Sequence, residues 1–258
     1  MTAAATTAIE LAHHCDALLA VADFTDYCPN GLQVEGNRPI RLLVTGVTAS
    51  LDLIAAAGSA GADALLVHHG IFWKGDEPCL IGPKGRRVRA LITEGMSLLA
   101  YHLPLDAHPE LGNNRCLAER LGISEARPLA DTGAKTSIPI WIGRLPTPCA
   151  GSAVATAVAA ALGRTPLHIA AHARPVQRIA WCTGAAQGYI EAAAAAGADL
   201  YLSGEVSEST VHLARELSID YLGAGHHATE RYGIQALGAM LATQFGLTHR
   251  FIDIDNPA

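Results

Sequence analysis

The sequence predicts an α/β protein of two similar domains, each a mixed sheet flanked by helices, and three observations carry that prediction. The chain has 258 residues, half of them apolar, enough to bury one large or two modest cores. Apolar strand-like runs alternate with helix-patterned stretches, the order that builds partly parallel sheets. One passage also recurs. Thr45-Gly46 leads through an alanine-rich helix to Ala60-Gly61-Ala62-Asp63 and the strand Ala64–Val67. Thr183-Gly184 leads in the same way to Ala196-Gly197-Ala198-Asp199 and Leu200–Ser203, with a two-residue gap. In this alignment Glu205 falls where His69 falls, at the exit of a strand.

Taken in order, Thr7 precedes a helix over Ala8 to Ala20, and Tyr27-Cys28-Pro29-Asn30-Gly31 is a turn by composition. Strands follow at Arg41–Val47, Ala64–Val67 and Ser97–His102, with helices over Leu51–Ala60 and Lys84–Glu94 between them. The second series runs through Ile138–Ile142, Ala153–Leu162, Gln177–Cys182, Tyr189–Ala196 and Leu200–Ser203. A strand at Asp220–Leu222, a long helix from His227 to Phe245 and an edge strand at Arg250–Ile254 complete the pattern. Pro128 and Gly133 mark a boundary within Arg127–Lys135. The final segment returns with a candidate ligand, so the first domain is expected to be discontinuous, 1–128 plus 218–258, around a second domain, 129–217.

Composition excludes several classes. A net charge of −6 argues against a general phosphate-backbone binder, which needs a basic surface, so DNA is not an expected partner. Arg86, Arg87 and Arg89 read as a solvated helix face. The cysteines at 15, 28, 79, 116, 149 and 182 contain no Cys-x-x-Cys pair and read as reduced core thiols of a cytoplasmic protein. No basic segment followed by an apolar run opens the chain, and the Ala192–Ala196 run is far too short to span a bilayer. Neither a signal peptide nor membrane association is expected.

Three segments carry chemistry. In Gly225-His226-His227-Ala228-Thr229-Glu230, His226 lies four residues and His227 three residues before Glu230, so either pair can share a helical face. His68-His69-Gly70 follows an apolar strand, and a bend at Gly70 would turn both imidazoles toward one cavity. Asp106, in His102-Leu103-Pro104-Leu105-Asp106-Ala107-His108, again sits behind a strand. Each segment alone has an ordinary reading: a surface histidine pair, a turn aspartate, a glutamate at the positive end of a helix. Together they deliver imidazole and carboxylate at element mouths, the donor mixture that holds divalent metals. Three imidazoles and two carboxylates exceed one tetrahedral ion and suit two ions sharing a bridge. The residual positive charge of such a pair would favour an anionic, phosphate-bearing ligand.

These residues resemble the NGG-interacting-factor-like family of dinuclear-metal proteins, commonly labelled GTP cyclohydrolase I type 2 homologues. The resemblance spans essentially the whole chain. It rests on Asp26-Tyr27-Cys28-Pro29-Asn30-Gly31-Leu32-Gln33-Val34, Val67-His68-His69-Gly70, His102 to His108, Ser203-Gly204-Glu205 and Gly225 to Glu230. It implies a homohexamer, a toroidal trimer of dimers, with two divalent ions per chain facing an internal cavity. The implied ligands are His68, His69, Asp106, His226 and Glu230, with Glu230 as the bridge, and this is what favours His226 over His227. Glu205 and His102 would be proton handlers or orienting groups. Zn, Fe, Mn, Co and Ni all suit such donors.

The implied activity is metal-dependent hydrolysis of GTP: activated water attacks C8 of the guanine ring, formate leaves, and Glu205 or His102 shuttles the proton. The alternative from another class is a metal-binding scaffold or metal-insertion protein with little turnover.

Overall fold

The computed structural model describes residues 6–129 and 140–258. Within them the chain forms two compact units, Met1–Gly112 with Gly233–Asp255, and Asn113–Tyr232 with Asn256–Ala258. The first unit begins α1 (Ala8–Leu18), β1 (Gly31–Val34), β2 (Leu42–Thr48), α2 (Leu51–Ser59), β3 (Ala64–His69), α3 (Gly82–Glu94), β4 (Ser97–Ala100) and α4 (Leu103–Ala107). The second holds α5 (Asn113–Arg120), β5 (Ser124–Pro128), β6 (Trp141–Cys149), α6 (Gly151–Leu162), β7 (Leu167–Ile169), β8 (Val176–Cys182), α7 (Ile190–Ala195), β9 (Leu200–Ser203), α8 (Glu208–Glu216), β10 (Asp220–Gly223) and α9 (His226–Thr229). The chain then returns to the first unit through α10 (Arg231–Phe245) and β11 (Thr248–Phe251).

Both units are α/β with a mixed sheet. The first sheet has the order β1-β4-β3-β2-β11, with β1 alone antiparallel. Alternation along its central strands sends side chains to opposite faces. Leu43, Leu66 and Leu99 meet α1 and α10 on one side. Val44, Leu65 and Leu98 meet α2 and α3 on the other. The second sheet, β5-β6-β8-β9-β10-β7, is parallel through β8, β9 and β10. Ile179, Leu200 and Leu222 pack on α6, while Ala180, Tyr201 and Tyr221 pack on α7 and α8. Burial on both faces is why these strands read as unbroken apolar runs.

The recurring passage is a structural repeat, matched hydrogen bond for hydrogen bond. Asp63 Oδ2 accepts from Arg41 N and Leu42 N at 2.9 and 3.0 Å, while Asp199 Oδ2 accepts from Gln177 N and Arg178 N at 3.0 and 2.9 Å. Each aspartate's own N–H bonds the preceding parallel strand, and its carbonyl accepts from the first residue of the next, Ser97 or Asp220, at 3.0 Å. Arg38 and Arg174, three residues before the paired amides, approach the outer carboxylate oxygens at 3.6 and 3.3 Å. One aspartate, through its side chain and its own backbone groups, thus staples three consecutive strands in each unit.

Several boundaries differ from expectation, each for a local reason. The units divide at Gly112/Asn113 and Tyr232/Gly233, away from 128/129 and 217/218. β5 pairs with β6, and β10 lies between β9 and β7, so both belong to the second sheet. The proposed boundary stretch and the start of the Ile138–Ile142 strand fall largely on 130–139, outside the described residues. β4 ends at Ala100, so His102 leaves the ladder and caps α4. The long terminal helix breaks at Glu230, whose φ of −110° and ψ of 9° are not helical. Gly70 does not adopt a left-handed conformation; its missing side chain instead admits the Gln33 carboxamide, which a Cβ would strike. Cys15, Cys28 and Cys182 are buried thiols as expected, but Cys79 is exposed. Arg86 and Arg89 face solvent on α3. Among the described residues no helix is long and apolar enough to cross a membrane.

The aspartate staples make a stability prediction. Asp199→Ala leaves two strand amides without their acceptor and should lower the unfolding free energy by about 1–3 kcal/mol, read as a shifted urea midpoint. Asp63→Ala should do the same in the first unit. Burial pushes the Asp199 carboxyl up, but the Arg178 and Gln177 amides and then Arg174 outweigh it and hold the carboxyl below its usual range. Its contribution is therefore present above the unfolded carboxylate pKa and lost as pH falls through the folded one.

Candidate metal centre

Each unit gathers its own set of donors at the carboxyl ends of its parallel strands, where ligands of open α/β sheets collect. In the first unit His68 and His69 end β3, and His102 lies just beyond β4. One nitrogen from each of the three lies within 4.8 Å of the others. The His68 and His69 ring centroids are 4.6 Å apart, although the residues are chain neighbours, at the last two positions of the strand. Asp106 comes in on α4, with Oδ2 3.5 Å from His68 Nε2; both side chains are fully buried. A Pro104-started helix of one turn brings that carboxylate back toward β3.

In the second unit His226 opens α9 and Glu230 closes it. Their Nε2 and Oε2 atoms are 3.1 Å apart, across the helix break. Glu205, just past β9, takes the other face of the ring, with Oε1 2.7 Å from His226 Nδ1. Gly184 completes the packing: with φ +68°, any side chain there would run into the Glu230 carboxylate. His227, which spacing alone could not set aside, is not among the grouped donors. His108 closes a turn, accepting at Nδ1 from Glu110 N and Leu111 N.

All four grouped imidazoles are tied at Nδ1. His68 meets the Tyr101 carbonyl at 2.8 Å, His69 the Thr48 hydroxyl at 3.0 Å, His102 the Asp26 carboxylate at 2.9 Å and His226 Glu205. A ring whose Nδ1–H donates to an oxygen has its lone pair on Nε2, the arrangement in which outer partners orient metal-ligating histidines. The buried Asp106 and Glu230 carboxylates supply hard oxygen donors. The residues therefore fit divalent cations, with His68, His69, His102 and Asp106 able to hold one in the first unit, while His226 and Glu230 offer donors of the same kind in the second.

Two partners escaped the sequence reading. Thr48 lies on the strand next to His69, and only the β2–β3 register, Thr48 opposite His69, reveals it. Asp26 is 76 positions from His102, just before the turn Tyr27–Gly31, and the motif that carries the resemblance includes it without assigning it a role. Its carboxylate also accepts from Cys28 N, Asn30 Nδ2 and Leu103 N at 3.0–3.1 Å. Burial pushes Asp26 up, yet the His102 hydrogen bond and charge outweigh it and hold the carboxyl at about 2.

A pair of α/β units carrying histidine–carboxylate donor groups defines the class: a two-domain protein with candidate metal-binding groups at its strand ends. Comparison narrows it. The chain belongs to the Duf34/NIF3 (NGG1p interacting factor 3) family, which matches residues 6–257. It is 55% identical over 258 residues to the GTP cyclohydrolase 1 type 2 homolog of Allochromatium vinosum, with both chains covered completely. The protein of the same description from Pseudomonas aeruginosa is 55% identical over 248 residues, 96% of this chain and 97% of that one. The solved structure of protein ybgI, described as of unknown function, has a TM-score of 0.93 at 45% identity and covers 98% of this chain and 100% of its own.

Burial lowers the His226 pKa, but Glu230 and then Glu205 outweigh it and raise it to about 9. The metal-free protein therefore keeps a proton on His226 at neutral pH. Loading with Zn²⁺ at about pH 7.5 should displace it, seen as a calorimetric enthalpy that varies with buffer ionisation heat. Glu205→Gln should diminish that proton release.

Proposed function

We propose that the chain is a dinuclear metal-dependent hydrolase of the GTP cyclohydrolase 1 type 2 kind, opening the guanine ring of GTP with release of formate. In this reading His68, His69, Asp106, His226 and Glu230 are the protein ligands, Glu230 is the bridge, and the protein works as a cytoplasmic homohexamer, a toroidal trimer of dimers. The observation that carries it is the group of imidazoles fixed at Nδ1 beside buried carboxylates. Such donors are what two divalent cations of the Zn, Fe, Mn, Co or Ni type require.

When bound, the cations supply Lewis acidity and bring the pKa of water near 7. The rest falls to the chain. Asp26, ionised throughout the neutral range, holds His102 in one orientation. Glu205 is 42% exposed at its side chain and hydrogen-bonded to His226, so it can pass a proton between solvent and the site. His102 is the other candidate for that transfer. A net positive charge left on the loaded site favours the phosphates of a nucleotide even though the whole chain is acidic. The name borne by the relatives supports the choice of GTP, while the description of ybgI as of unknown function keeps the scaffold alternative in view.

Purified, metal-analysed protein given GTP should release formate and yield pterin fluorescence. Asp106→Ala and Glu230→Ala should each lower activity beyond the roughly 10–100-fold typical of losing an orienting partner. Fully metallated protein that turns over no nucleotide would overturn the hydrolase and favour the scaffold. A native mass other than six chains would overturn the hexamer.

A further inference from the structure

Beside the imidazoles of the first unit lies an aromatic surface that metal binding does not use. The Tyr27 and Trp73 rings are 5.7 Å apart and tilted by 32°, close to an offset stack. His102 stands edge-on to both, at 5.0 Å and 74° from Tyr27 and at 5.3 Å and 87° from Trp73. His69 lies 6.0 Å from the indole. These are favourable aromatic geometries, and they join the shelf directly to the candidate ligands.

The shelf is built and then left open. Trp73 sits on the twelve-residue connection 70–81 between β3 and α3, a length usually reserved for functional loops. That loop is stitched in place: Lys74 N donates to the Tyr27 carbonyl at 2.7 Å, and Ile71 N donates to Gln33 Oε1 at 2.9 Å. Farther along, Lys84 lies 5.5 Å from the Phe72 ring centroid and 3.7 Å from Asp76. Yet Tyr27 is 53% exposed and Trp73 is only half-buried. Two large rings held by neighbouring backbone bonds and still facing solvent present a surface on which a ring can stack.

We propose that Tyr27 and Trp73 form a stacking platform for a planar nitrogen heterocycle, and so set the substrate class of the neighbouring site. This rests on the reading that the histidine–carboxylate group is the reacting centre. A flat ring matches the shelf because stacking needs only a π-face. Imidazoles at its border ask for a ligand with polar edges, which an aliphatic chain lacks. Lys74, exposed and next to Trp73, disfavours a cationic ligand and suits one with a phosphate tail. Tyr27 and Trp73 are positioning residues here; neither transfers a proton or donates to the metal.

Tryptophan fluorescence tests this without turnover, because the other two tryptophans, Trp141 and Trp181, are buried in the second unit. Titration of the metal-loaded protein with GTP and with guanosine should quench emission, whereas inorganic triphosphate and ribose 5-phosphate should not. Trp73→Leu should abolish most of the quench and weaken GTP binding, measured calorimetrically, by about tenfold or more. Trp73→Phe should restore part of the affinity. Tyr27→Ala, at the more exposed ring, should weaken binding while leaving Trp73 as reporter. Equal quenching by triphosphate, no quenching by GTP, or unchanged affinity in both Trp73→Leu and Tyr27→Ala would overturn the platform. Formate release separates the two readings. Release with an unaltered KM in Trp73→Leu sinks the platform and spares the hydrolase, whereas ring-dependent quenching without formate does the reverse.

Discussion

The hydrogen bond at Nδ1 of each grouped imidazole is the constraint from which the local structure follows. A histidine ring can present Nε2 in a fixed direction only if its other nitrogen is held, so four rings demand four partners. The fold provides them from three kinds of group. His68 uses the Tyr101 carbonyl just past β4, His69 a hydroxyl on the adjacent strand, and His102 and His226 a carboxylate from a neighbouring loop. The loop around Asp26 supplies the partner for His102. Its carboxylate and the Asn30 carboxamide between them grip the His102 and Leu103 amides, fixing the start of α4 and hence the direction from which Asp106 arrives.

Duplication explains why donors occur at matching places in both units. The staple aspartates Asp63 and Asp199 set a common register, and six residues later the strands release His69 and Glu205. Past the next strand both units make one helical turn spanned by a histidine and an acid four residues apart, His102 with Asp106 and His226 with Glu230. The copies have diverged in charge and not in layout. The first offers three imidazoles and one carboxylate, the second one imidazole between two carboxylates.

That symmetry was half legible in the sequence. The two Gly-Ala-Asp strands, the parallel cores and the chemistry at His68, His69, Asp106, His226 and Glu230 all show as apolar runs ended by polar side chains. What stayed hidden was polar, short or distant. β5 and β7 are exposed edge strands without an apolar alternation, and α8 carries few buried residues. The break at Glu230 is invisible because residues 226–245 keep helical composition throughout, and only the packing of Gly184 against the Glu230 carboxylate accounts for the space it occupies. Thr48 and Asp26 could not be found by spacing, since one acts across a sheet and the other across most of a domain.

The uneven charge of the two halves has its own consequence. Glu205 and Glu230 on either side of His226 would repel each other if nothing positive lay between them, so in the metal-free chain a proton on the imidazole fills that role. A cation taking the same ring must displace that proton. Each pH unit below about 9 then costs it roughly tenfold in apparent affinity at this donor. Glu205 therefore acts in two ways at this donor: by bonding Nδ1 it both orients the ring for a metal and strengthens the proton that competes with one.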